Sequence, residues 1–171
     1  PLTTNAAFTY RLIHDDANWS RLGSRQLHSN ELLDATFIFN EEKVYYNVGT
    51  RWRGSPWNRP GNPRMYRVGF PKNQPLRNRT KINLSRYGSQ QREKAASYVV
   101  WRNSTSSTTS PYNRSTWARV RTNAGTYTME SVEPTNPEYL KMWFPGDSDG
   151  ILMKIIGMRC FKNLLTFTMC F

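Results

Sequence analysis

Cysteine is nearly missing: Cys160 and Cys170 are the two in 171 residues, and both fall in the last dozen. A secreted disulfide scaffold spreads its cysteines through the chain, so that class is set aside and the thiols read as structural or incidental. A zinc site needs more ligands at closer spacing, and His14 and His28 lie far away in sequence. No metal site is expected. Long apolar runs are also missing. Nothing approaches the roughly 20 residues that cross a bilayer, so no membrane span is expected, and no signal peptide is visible. The chain opens on Pro1 rather than Met, so its natural N-terminus is expected upstream. No Ser/His/Asp or Cys/His set, Gly-rich nucleotide fingerprint or P-loop occurs, which leaves no recognisable catalytic constellation.

Acidic charge is scarce, and its scarcity is local. The chain holds 12 Asp and Glu against 24 Lys and Arg, for a net charge of +12. Residues 1–50 carry 4 basic and 6 acidic residues; residues 122–171 carry 4 and 5. Between them, residues 51–121 carry 16 basic residues and a single acid, Glu93. Whatever polyanion the protein meets, this middle block meets it. Aromatic content is high at 13%, so large rings can carry much of a core, which argues against a disordered chain. At this length one domain is expected.

Alternation of apolar and polar residues makes Phe8–Ile13 a first strand. A polar stretch follows with a short helix inside a long connection. Leu32–Asn40 and Lys43–Gly54, rich in β-branched and aromatic residues, flank a tight Asn-Glu-Glu turn and read as a hairpin. Residues 55–63 hold three prolines and a glycine and form a loop. Met65–Phe70 and Thr80–Ser85 are further strands. Ser89 caps a helix running to Asn103, and a low-complexity polar loop follows. Two strands surround the Asn-Ala-Gly turn at 123–125, then come a short helix at 137–144 and a buried strand at 150–156. The predicted class is α+β: an antiparallel sheet with one central helix.

Three features could carry chemistry. Residues two apart on a strand face the same side, so Arg51 and Arg53 share a face, with Arg67 on a neighbouring strand. Arginine presents a planar fork of donors suited to phosphate oxygens, so the trio could form a phosphate clamp. The alternative is a solvated basic strand face. Glu93, alone among cations on the predicted helix, could orient Arg67 or Lys81; the alternative is an ordinary exposed helix glutamate with local pairs. The Gly146–Gly150 segment carries two aspartates but lacks the later ligands of a calcium loop, and reads as a turn.

Taken in order, the motifs Arg51-Trp52-Arg53-Gly54, Tyr66-Arg67-Val68-Gly69-Phe70, Leu84-Ser85-Arg86, Arg92-Glu93, Tyr127-Thr128-Met129-Glu130 and Asp149-Gly150-Ile151-Leu152-Met153-Lys154 resemble the CotH (spore coat protein H) kinase-like family. The likeness runs from about Lys43 to Ile156. It implies a fold like the N-lobe and hinge of an atypical protein kinase, and ATP with Mg2+ as cofactors. It also implies phosphorylation of a secreted or coat protein, in an extracellular or cell-envelope setting. Carried onto this sequence, Arg53 and Arg67 would hold nucleotide phosphates and Glu93 would anchor a basic partner such as Lys81. Glu130 would lie near the hinge that meets the adenine. The catalytic aspartates of kinase-like domains lie beyond the hinge, and the acid-free tail at 157–171 departs from the family pattern. The expectation is therefore a partial domain at 1–156 with an aberrant tail, catalytically inactive but able to bind nucleotide.

Two rivals remain. The middle block, with Trp52, Trp57, Tyr66, Tyr87 and Trp101 interleaved among its cations, could track phosphates and stack bases as a nucleic-acid or other polyanion-binding module. A non-catalytic surface or adhesion protein on the same fold is the other.

Overall fold

The computed structural model describes residues 8–54, 59–86, 103, 115–132, 134, 137–144 and 146. In chain order these form β1 (Phe8–Ile13), α1 (Asp16–Ser24), β2 (Leu33–Phe39), β3 (Lys43–Trp52), β4 (Tyr66–Gly69), β5 (Lys81–Arg86), β6 (Ser115–Thr122), β7 (Gly125–Val132) and α2 (Pro137–Trp143). The strands close into one barrel in the order β1-β2-β3-β4-β5-β7-β6. All neighbours are antiparallel except β6 and β1, which pair in parallel from Phe8↔Ala118 to Leu12↔Thr122. With seven strands, alternating directions cannot close a ring, so one parallel seam is a geometric necessity.

Closure corrects the α+β, kinase-N-lobe-like expectation. An open sheet needs a helix to cover its apolar face; here the sheet covers itself by curling round that face. Tyr10, Phe37, Tyr45, Trp52, Tyr66 and Phe70 are all buried within it. Phe37, Tyr45 and Phe70 meet edge-on at centroid distances of 5.1–6.1 Å, and Trp52 leans on Tyr66 at 4.9 Å. These rings, with Leu12, Val48, Val68, Ile82, Leu84, Val120 and Met129, fill the lumen. The helix expected from Ser89 lies outside the described residues apart from Asn103, as do the strand at 150–156 and both cysteines.

Local devices hold the curvature. The β2–β3 register shifts between Ala35 and Phe37, and Asn47 opposite takes a left-handed φ of 53°. That bulge lets Tyr45 and Val48 both face inward although they are three residues apart. The β2–β3 turn runs through Asn40 and Glu41, both at positive φ (51° and 61°), with Glu42 N–H donating to Phe39 O at 3.1 Å. α1 starts at Asp15, whose carboxylate accepts from Asn18 N–H at 2.6 Å. It then packs the wholly buried Leu22 into the core beside Trp52. Among the described residues no helix is long and apolar enough to cross a membrane.

Candidate phosphate-binding site

Inward placement of Val48, Thr50 and Trp52 on β3 sends Arg51 outward. On β4 the buried Tyr66 and Val68 send Arg67 outward as well. The register sets Arg51 directly across from Arg67, and Arg67 across from Asn83 of β5. Arg53 lies just past β3, its N–H donating to Met65 O at 2.9 Å, and its Nη1 donates to Ser85 Oγ at 2.7 Å. Ser85 stands opposite Glu130 of β7, which in turn stands opposite Trp117 of β6. The outer face of β3, β4, β5 and β7 therefore gathers Arg51, Arg53, Arg67, Asn83, Ser85 and Glu130.

Electrostatically this face is loaded with one sign. Like charges directly opposite on neighbouring strands destabilise a sheet, and Arg51 faces Arg67 in that way. Burial holds the Arg53 guanidinium below its usual range, Arg67 adds to the depression, and Glu130 opposes it. Arg51 is lowered by burial and then by Arg67, Arg59, Arg25 and Arg53. Arg51 and Arg53 both remain charged at neutral pH, since arginine does not deprotonate in proteins. The ion pairs among the described residues are Arg11–Glu41, Arg21–Glu31 and Arg25–Glu31, none involving the trio. Arg67 is half-buried, and its side chain makes no hydrogen bond or ion pair among the described residues. Beside it, Asn83 is 6% exposed and its Oδ1 is buried without a hydrogen-bond partner.

The expected residues separate on this map. Arg53, Arg67 and Glu130 come together, and Arg51 with them. Lys81 faces the same side but opens β5 across from Gly69, exposed and about 13 Å along the strand from Ser85. Glu93 lies outside the described residues. Reasoning from sequence missed Asn83 and Ser85, whose outward positions follow from the period of two once β5 is in register with β4. It also missed Arg59. That side chain, 7% exposed, donates to the carbonyls of Gly54, Leu27 and Ser29 and to Asn30 Oδ1 at 2.9–3.2 Å. Arg59 pins the loop after β3 to the connection after α1, and so supports the base of the arginine cluster.

No protein-family model matches the chain, and no curated protein matches it either.

The chemistry open to this face is recognition of an anion by guanidinium forks, with the Ser85 hydroxyl and Asn83 amide alongside. Among the described residues no three His, Cys, Asp or Glu side chains are grouped to hold a metal ion. Such guanidinium donors suit the oxygens of an oxyanion such as phosphate rather than a free cation.

Proposed function

We propose that the protein binds a nucleotide through its phosphates on the outer face of β3, β4 and β5, with Arg51, Arg53 and Arg67 as the phosphate ligands. The observation that carries this reading is Arg67: a half-buried guanidinium without a counter-ion among the described residues, set against two more guanidiniums. Such an arrangement is self-repelling, relieved only in part by Glu130 near Arg53, and a charge-assisted bond to phosphate offsets the remainder. The CotH kinase-like resemblance adds ATP as the nucleotide and Mg2+ as an ion carried by its phosphates. Phosphorylation of a secreted or coat protein, and an extracellular or cell-envelope location, rest on that resemblance alone.

Isothermal titration with ATP, with and without MgCl2, tests the reading. Arg67→Gln and Arg53→Gln should each weaken ATP binding about tenfold with the fold intact by circular dichroism, as expected for one charge-assisted hydrogen bond. Adenosine should bind far more weakly than ATP. Unchanged affinity in both variants would remove the assignment. The basic middle block favours a second reading, a polyanion-binding module. An oligothymidylate that binds more tightly than ATP, with log affinity falling by about 0.7 per neutralised phosphate as log salt rises, would put that reading first.

A further inference from the structure

A second basic surface lies across the barrel, at the parallel seam. There a shallow depression of about 200 Å³ is lined by Thr9, Arg11, Glu41, Arg119, Arg121 and Thr126. Inward-facing Ala118 and Val120 send Arg119 and Arg121 outward, where both are exposed. Neither side chain makes a hydrogen bond or ion pair among the described residues. Register sets Thr9 beside Arg119, Arg11 beside Arg121, and Thr126 on the far side of Arg121.

One member of this ladder already shows which ligand the surface accepts. Arg11 grips the Glu41 carboxylate with two bonds, Nε to Oε1 at 2.8 Å and Nη2 to Oε2 at 2.6 Å. Glu41 sits on the β2–β3 turn, and that turn is fixed to β1. Thr9 N–H donates to Asn40 Oδ1 at 3.0 Å, and Asn40 N–H donates to Thr9 O at 2.7 Å. The pair therefore forms a rigid, neutral wall, and Arg119 and Arg121 are left as the net charge. Two residues apart on one strand, they stand about 7 Å apart, the same repeat as the side chains on one face of an extended peptide. The depression has no aromatic ring on which a base could stack, which favours a peptide over a nucleic acid.

We infer that the β1–β6 seam is a docking groove for an extended acidic polypeptide segment, with Arg119 and Arg121 binding carboxylates on alternate residues of the partner. The inference is independent of nucleotide binding, which uses the opposite face. Fluorescence anisotropy of a labelled peptide alternating Glu with Thr measures it. A peptide with the same number of Glu residues at every third position is the control. The alternating peptide should bind several-fold more tightly, and Arg119→Ser and Arg121→Ser should each weaken it about five- to tenfold. Both side chains are exposed, so the melting midpoint and ATP affinity of the variants should stay unchanged. Equal affinity for the two peptides, or variants that bind as the parent does, would overturn the groove. Tighter binding of oligothymidylate through the same arginines would overturn it in favour of nucleic acid. Loss of ATP binding in these variants would also overturn it, because the two faces would then be one site.

Discussion

His14 follows β1 with every polar atom committed or enclosed. Its N–H donates to Asn123 Oδ1 at 3.0 Å, and its carbonyl accepts from Asn123 Nδ2 at 2.9 Å. Thr50 Oγ donates to Leu33 O at 3.1 Å, so the 2.6 Å contact between Thr50 Oγ and His14 Nε2 uses the Nε2–H tautomer. Nδ1 is then a buried acceptor without a hydrogen-bond partner, close to the Trp19 ring. Burial lowers the His14 pKa from 6.5, against the smaller opposing pulls of Asn123 and Asp15. The unfolded chain therefore takes up a proton before the folded one does. Stability is full above about pH 6.5 and is lost as the pH falls from there toward the lower folded-state value. Urea melts at pH 7.5 and 5.5 should show this loss, with a slope of at most about 1.4 kcal/mol per pH unit for one proton. In His14→Asn the difference between the two pH values should shrink to nearly nothing. A parent as stable at pH 5.5 as at 7.5 would show that the imidazole accommodates its charge.

At the scale of elements, hairpins and turns were legible and their partners were not. The β2–β3 and β6–β7 hairpins were expected from β-branched and aromatic runs around short polar turns, and both form. The short helix in the polar connection also forms, because Asp15 caps it and Leu22 gives it one apolar side. What the sequence could not show is where that helix docks. Its last-turn carbonyls have no partner within the helix, and Leu22 O is met by the indole Nε1–H of Trp52 at 2.9 Å. Trp19 meets Trp52 edge-on at 6.2 Å from the same helix. Trp52→Phe keeps most of the ring volume but leaves the Leu22 carbonyl buried and unmatched. The expected loss is about 1–3 kcal/mol in urea denaturation with an unchanged m-value. A loss well under that range would mean that water reaches the carbonyl and the helix end is open.

At the scale of the molecule, the closing seam is the feature with no local signal. Phe8 meets Ala118, and nothing near either residue names the other; strand alternation says which side chains face inward but not whether the sheet curls. The same limit divides the candidate site. Arg51 and Arg53 could be put on one face by a period of two, whereas bringing Glu130 to Ser85 needs the β5–β7 pairing across a long stretch of chain. Arg59 was unreadable for a related reason: its acceptors are mostly main-chain carbonyls, which every residue carries.

Closure has a measurable consequence. An open sheet has two edge strands whose amides exchange by local fraying, at free energies well below that of global unfolding. Here β1 is bonded to β2 on one side and β6 on the other, and its Tyr10 and Leu12 are buried among the lumen rings. Freeing β1 means breaking two ladders and opening the aromatic core together. Native-state hydrogen exchange should therefore find the slow amides of β1 and β6 opening with the same free energy and denaturant dependence as those of β3. A Leu12→Ala variant should lower all three sets equally, by about 2–5 kcal/mol. If β1 amides instead exchange early and independently while β3 stays protected, the seam is a latch rather than a wall, and the folding unit is the sheet without it.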